Sequence, residues 1–157
     1  FKIKKMSKKI TTLCIIHKHP KILLGMKKRG FGKGRWNGFG GKVKEDENLK
    51  QAAIREFQEE AGIIVSDIEK VGTIDFVWPD SANNQEVHIF KARDYEGEIA
   101  ESEEMMPQWF HVDNIPFESM WPDDKHWLPL FLEDKKFFGQ CFFDDENRIR
   151  EISIKEI

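Results

Sequence analysis

The apolar positions fall into runs whose spacing changes from strand-like to helix-like and back along the chain. Residues 10–16 are apolar or β-branched throughout, which predicts a buried strand, and residues 21–27 predict its returning partner. Between them His17, Lys18, His19 and Pro20 predict a solvated turn; the two histidines are read as part of that turn and not as a metal pair. Leu49, Ala52 and Ala53 then recur at helical spacing, with Asn48 placed to cap the start and Gly62 the end. Residues 65–70 read as a connection. Residues 71–78 and 86–93 predict two strands around the polar cluster 79–84. His88 alternates with Val87 and Ile89, so it reads as a histidine on the polar face of its strand, and it is assigned no role. Residues 109–112 predict a further strand, a helical pattern runs on from Trp121 to Leu132, and residues 136–143 and 148–154 predict a closing hairpin. This order predicts an α+β domain with a mixed central sheet and helices on its two sides. A flexible basic tail, residues 1–9, is expected ahead of a single domain, residues 10–157.

The first helical stripe carries the first sign of chemistry. Glu56 and Glu60 continue it from Leu49 at i+7 and i+11, where a core-facing helix would place apolar residues, and Glu59 shares their face. Like charges at this spacing repel, and anions at a helix C-terminus oppose its macrodipole. A bound divalent cation offsets both. Hard carboxylate oxygens suit Mg²⁺, whose shell water and phosphate complete. A solvated acidic helix is the competing explanation.

Ahead of the helix, six glycines fall within residues 30–41, with Lys27, Lys28, Arg29, Lys33 and Arg35 around them. Such a segment allows positive φ and close backbone approach to a ligand, and the basic residues favour phosphate. Asn37 within it offers both a donor and an acceptor. Farther on, Trp121 is a flat surface on which a purine can stack. Asp123 and Asp124 either cap the following helix or, if buried together, share one proton and read the edge of a base. The acidic run at Glu101 and Glu103 reads as solvated.

Bulk properties narrow the classes. With 157 residues, 39% hydrophobic and 34% charged, the chain describes one soluble globular domain. Its net charge of −3 argues against a nucleic-acid polymer as partner. No apolar run is long enough to span a membrane, and the basic N-terminal residues lack the apolar core of a secretory signal. Cys14 and Cys141 sit in separate apolar runs and read as reduced core thiols. The 13 Phe and 5 Trp exceed what turns require, so they predict an aromatic core with rings to spare for a pocket.

Gly41, Glu47 and the run Arg55, Glu56, Phe57, Gln58, Glu59, Glu60, Ala61, Gly62 and Ile63 resemble the Nudix box, the signature of a family that hydrolyses nucleoside diphosphates linked to another group. Phe57 departs from the usual bulky aliphatic residue but keeps an apolar contact. The segment from Gly25 to Val43, and again Trp121, Pro122, Asp123 and Asp124, resemble the branch acting on oxidised purine nucleoside triphosphates. The resemblance implies the α/β/α Nudix sandwich. It further implies hydrolysis of 8-oxo-dGTP, 2-oxo-dATP and 8-oxo-dATP to monophosphate and pyrophosphate, a reaction that sanitises the nucleotide pool and prevents mutagenic incorporation into DNA.

On that reading Glu56, Glu59 and Glu60 hold Mg²⁺, with Mn²⁺ as a substitute. By resemblance the backbone at Gly40 and the carboxylate of Glu104 join them. One of Glu59, Glu60 and Glu104 is the general base, while Arg55 and Glu47 orient the cluster. Asn37, Trp121, Asp123 and Asp124 form the base pocket, and the resemblance adds Thr12, Leu13, Lys27, Phe31, Phe76, Met105 and Trp127. Trp78 and the turn 80–85 depart from the branch, which leaves the pocket rim and the substrate ranking open. The expected partners are small-molecule oxidised purine nucleotides, for a monomer in the cytoplasm, with the mitochondrial matrix and nucleus as further compartments. Two alternatives stay open: a Nudix hydrolase of methylated purine nucleotides, dinucleoside polyphosphates or nucleotide sugars, and a binding module without catalysis, against which the intact carboxylates argue.

Overall fold

The computed structural model describes residues 8–157. At the middle of the sheet β1 (Lys9–Lys18) runs parallel to β5 (Gln85–Glu96). β4 (Ile64–Val77) pairs antiparallel with β5 and parallel with β7 (Phe137–Phe143), and β8 (Ile149–Glu156) lies antiparallel on the far edge of β7. On the other side β2 (Lys21–Lys27) pairs with β1, with the two-residue β3 (Trp36–Asn37) and with β6 (Met105–His111). The result is the expected mixed sheet.

The hairpin of β1 and β2 is what opens the site. The two strands pair only from Ile16–Lys18 against Lys21–Leu23 and then diverge. Residues 36–42 enter the gap: Trp36 and Asn37 pair with β2, while Phe39 and Lys42 bridge back to Cys14 and Thr11 of β1. The wedge must be thin. A Cβ on Gly40 would lie 1.8 Å from the Thr12 carbonyl oxygen, and one on Gly38 would lie 2.8 Å from Ile15 Cγ1. Glycine is therefore required here for close backbone approach, not for an unusual φ.

Alternation along β1 then sends successive side chains to opposite layers. Cys14 and Ile16 pack with Leu23, Phe39 and Phe90 under α1 (Leu49–Ala61), and Phe57 of α1 stacks on Phe39 at 4.3 Å, which accounts for an aromatic at that position. Ile15 points the other way, with Ile22, Leu24, Ile74, Val87 and Ile89, under α2 (Asp124–Leu132) and its Trp127, Leu128 and Phe131. The helices cover the two faces, an α/β/α sandwich.

Several local expectations change. β1 begins at Lys9, and Lys8 already bridges Asp75 and Glu86, so the expected flexible tail does not extend to residue 9; its residues 1–7 lie outside the described residues. Residues 65–70, read as a connection, belong to β4, because β4 pairs with β5 as far as Ile64 opposite Glu96. A bulge between Lys70 and Gly72 interrupts the alternation that would have revealed it. β6 starts at Met105, earlier than the expected residue 109, since Pro107 sits in β6 opposite Gly25 without ending the strand. His88 is buried and its Nε2 lies 2.7 Å from Glu86 Oε2.

Candidate active site

The first half of α1 is fixed as its sequence implied. Asn48 Oδ1 accepts from the Gln51 N–H at 2.8 Å and Gln51 Oε1 accepts from the Asn48 N–H at 2.9 Å, a reciprocal capping box. Gly62 ends the helix at φ 74°, its N–H donating to the Gln58 carbonyl. These two caps set the rotation that presents the carboxylates to the glycine wedge.

Their environments differ. Glu60 is 6% exposed and accepts one hydrogen bond, from the Gly40 N–H to Oε1 at 2.9 Å. Burial pushes its carboxyl up to about 8, with Glu56 and Glu104 adding repulsion against the opposing Gly40 N–H. Glu56 lies against Gly41, where a Cβ would come within 2.6 Å of its Cδ. Glu59 is mostly exposed. Arg55 occupies the space between them: Nη1 donates to Glu56 Oε1 at 2.9 Å and to Glu59 Oε2 at 3.3 Å. Its other face forks onto Glu47, Nε and Nη2 each donating at 2.7 Å, which holds the Glu47 carboxyl down at about 2.

Glu104 sits just ahead of β6 and is held low by the Arg29 guanidinium, with Lys27 Nζ 3.4 Å from its Oε2. Among the described residues no three acidic, imidazole or thiol side chains converge on one point. The donor set nonetheless fits a divalent cation: hard oxygens only, with a buried carboxyl at Glu60 that makes no ion pair among the described residues. Phe39 and Gly41 direct their carbonyls to β1, at 2.6 Å from the Cys14 nitrogen and 2.9 Å from the Thr12 nitrogen.

From Glu60 and Gly40 a cavity of about 180 Å³ continues across the splayed end of the sheet. Thr12, Leu13, Lys27, Phe31, Asn37, Phe76, Met105, Trp121, Asp123, Asp124 and Trp127 all line it, so every expected pocket residue is brought together. Arg55, Glu56, Glu59 and Glu104 lie outside it, beyond its Glu60 end. The reading of Asp123 or Asp124 as a mere helix cap fails: Asp123 occupies the N-cap position of α2 but makes no capping hydrogen bond. Both acids are 3% exposed instead. Trp127 Nε1 donates to Asp123 Oδ2 at 2.8 Å. Burial raises both carboxyls, and for Asp124 the neighbouring Asp123 charge adds to burial and holds it well above the ordinary range. Asp124 Oδ2 and Thr12 Oγ1 are buried without a hydrogen-bond partner among the described residues. Buried polar atoms are rarely left so, and both residues line the cavity.

Aromatic rings complete the walls. Trp121 lies 5.1 Å from Phe31 and carries the Arg35 guanidinium 4.4 Å from its ring centre. Asn37 Oδ1 accepts from the Gly38 N–H, leaving its NH₂ as the group offered to a ligand. Trp78 and Gln85, read only as departures that left the pocket rim open, line it, and so does Phe143, which sequence reasoning did not place there. Trp78 follows Phe76 at i+2, a same-side signal that was legible; Phe143 gave none, since its strand joins the pocket wall only through the parallel pairing of β7 with β4.

The profile of the NUDIX domain matches residues 7–131. The chain belongs to the Nudix family. Over 149 residues it is 49% identical to proteins of mouse and zebrafish, each named oxidized purine nucleoside triphosphate hydrolase, covering 95% of this chain and 96% of each relative. Among solved structures, a MutT protein from Bacillus halodurans superposes with a TM-score of 0.84 at 26% identity, covering 94% of this chain and 97% of that one. Nudix hydrolases work with a divalent metal, consistent with the oxygen-rich end of this cleft. Among the described residues no helix is long and apolar enough to cross a membrane.

Proposed function

We propose that this Nudix hydrolase cleaves oxidised purine nucleoside triphosphates, 8-oxo-dGTP, 2-oxo-dATP and 8-oxo-dATP, to the monophosphate and pyrophosphate. By doing so it sanitises the nucleotide pool. The observation that carries the reading is the buried Asp123–Asp124 pair, one of whose oxygens has no partner among the described residues, in the wall of an aromatic cavity that Glu60 also lines. A flat base enters beside Trp121, the Asn37 NH₂ donates to one edge, and the two acids meet another. Because the acids share a proton, they present one donor and one acceptor, and exchange of that proton suits keto and amino edges alike.

The triphosphate then extends toward Lys27 and the carboxylates of α1. Glu56, Glu59 and Glu60, with Glu104 and the Gly40 carbonyl, are the groups we assign to hold the metal, which we take to be Mg²⁺ with Mn²⁺ as a substitute. Bound there, a divalent cation supplies charge neutralisation for the phosphate oxygens and activates water. The residues of the chain do the rest. Arg55, fixed by Glu47, keeps Glu56 and Glu59 oriented. One of Glu59, Glu60 and Glu104 accepts the proton of the attacking water. Lys27 and the glycine wedge receive the phosphates. We further propose a monomer of the cytoplasm, with the mitochondrial matrix and nucleus as further compartments, that acts on free nucleotides and not on nucleic-acid polymers.

The test is kcat/KM for 8-oxo-dGTP, 2-oxo-dATP and dGTP side by side, with Mg²⁺ and with chelator. The proposal expects both oxidised nucleotides to exceed dGTP and all turnover to stop on chelation. Equal rates on dGTP, or binding without release of pyrophosphate, would overturn it.

A further inference from the structure

We propose that Arg35 is a positioning residue of the base pocket: its guanidinium braces the Trp121 indole from behind, so that the ring is held ready to stack on a purine, and it does not serve the phosphates. The inference rests on the proposed base pocket and adds to it the group that holds the stacking surface in place.

In the sequence Arg35 stands among the basic residues that surround the glycines and favour phosphate. The fold separates them. Lys27 lines the cavity, while Lys28 and Arg29 meet Glu101 and Glu104. The Arg35 guanidinium carbon lies instead 4.4 Å from the centre of the Trp121 ring, and among the described residues its side chain donates only to the Met120 carbonyl, at 3.0 Å. Trp121 lines the cavity and Arg35 does not, which puts the guanidinium behind the ring as a ligand would meet it.

The three tryptophans of the cavity are held in different ways. The indole N–H groups of Trp78 and Trp127 donate to Asn147 and Asp123, each at 2.8 Å. The Trp121 indole makes no hydrogen bond among the described residues, and Trp121 precedes α2, so neither a side-chain acceptor nor the helix fixes its ring. The glycine loop does so. The Arg35 N–H donates to the Gly32 carbonyl at 3.1 Å and its carbonyl accepts from the Lys27 N–H at 3.0 Å, which ties the loop to the end of β2. Gly32, at φ 86°, closes on the indole edge: a Cβ there would come within 3.3 Å of Trp121 Nε1. Trp36 bridges to Met120, so the chain on either side of Arg35 is docked beside Trp121. Over this bracket the guanidinium supplies a flat cation, which an indole face attracts and which an ammonium does not reproduce.

Arg35→Met keeps the length of the side chain and removes the charge and the donor; Arg35→Lys keeps the charge. The readouts are metal-free equilibrium binding of 8-oxo-dGTP and of its nucleoside, 8-oxo-deoxyguanosine, and steady-state kinetics with Mg²⁺. Arg35→Met should weaken nucleotide and nucleoside alike, by about fivefold, with a KM raised by the same factor and kcat within about twofold of wild type, and Arg35→Lys should fall between the two. In a Trp121→Leu background the further change to Arg35→Met should cost less than about twofold, because the face it braces is gone. A loss confined to the triphosphate would make Arg35 a phosphate contact and overturn the inference. So would a loss that persists in full beside Trp121→Leu, which would pass the effect to Asp124, where the Arg35 charge opposes burial. Unchanged binding in Arg35→Met would overturn the inference alone; a wild-type protein that binds neither nucleotide nor nucleoside would overturn the base-pocket reading and the inference with it.

Discussion

The indole N–H of Trp127 donates to Asp123 Oδ2 one helical turn back, at 2.8 Å. An N–H can only donate, so it favours the ionised form of Asp123 and leaves the shared proton to Asp124, whose Oδ2 has no partner among the described residues. The two acids are therefore not equivalent. Asp124→Asn fixes a donor where the proton sits. Asp123→Asn removes the anion that keeps Asp124 protonated and shifts Asp124 toward an acceptor. The ratio of kcat/KM for 8-oxo-dGTP to that for 2-oxo-dATP is expected to move in opposite directions in the two variants. The size is about tenfold each, near the 1–1.5 kcal/mol of one net hydrogen bond. Equal losses on both substrates would remove the proton-exchange account.

The same pair sets a pH dependence of stability. The folded-state affinity of Asp124 for its proton is raised, by burial first and by the Asp123 charge second, above the ordinary value of 3.8. Below that value folded and unfolded chains are both protonated, and this contribution is fully present. Above it the unfolded chain releases the proton while the folded chain retains it, so stability falls as pH rises, by at most about 1.4 kcal/mol per unit from this one group. Thermal unfolding followed from pH 5 to pH 8 is expected to show a smaller decline for Asp124→Asn than for wild type. Identical slopes would mean that the pair is not buried in the way described.

Glu59 separates chemistry from folding. It is half-exposed and bonded only to Arg55 among the described residues, whereas Glu60 is buried under Gly40. Glu59→Gln should leave the unfolding midpoint within a degree or two and lower kcat at least about a hundredfold if this carboxylate is a metal ligand or the base. Circular dichroism melts and pyrophosphate release read the two effects independently. Retained turnover in Glu59→Gln would pass both roles to Glu60 and Glu104.

Much of this was legible in residues alone, for identifiable reasons. The capped helix could be read because Asn48 and Gly62 act within one chain segment, and Glu56 and Glu60 stood out because they break an apolar stripe; the part of Gln51 in the cap was not read. Asn37, Trp121, Asp123 and Asp124 were candidates by their chemistry, the other pocket residues came from resemblance, and the structure supplies the physical link between them: α2 and its N-cap deliver Asp123, Asp124 and Trp127, and the divergence of β1 from β2 leaves the opening. What stayed hidden depended on distant pairing. β4 continues through 65–70 because β5 is there to receive it, and Phe143 reaches the pocket because β7 lies parallel to β4. Arg55 was expected to orient the acids, and its fork onto Glu47, eight residues earlier, is visible only in the fold.

Gly40 tests whether the thin wedge is the origin of the site. Its φ is ordinary, so alanine is not excluded by backbone conformation; it is excluded by space, since a Cβ would meet the Thr12 carbonyl oxygen at 1.8 Å, and a backbone atom in mid-sheet cannot step aside as a side-chain tip can. Gly40→Ala should therefore push residues 36–42 away from β1, break the Gly40 N–H to Glu60 hydrogen bond and widen the cleft. The expected cost is about 1–3 kcal/mol or more, seen as a lower midpoint in chemical denaturation, with loss of turnover in the fraction that still folds. Gly40→Ala and Glu59→Gln should then differ in kind: the first loses stability and activity together, the second activity alone. A Gly40→Ala protein as stable and as active as wild type would show that the wedge has slack, and that the opening between β1 and β2 is set by something other than the closeness of these two backbones.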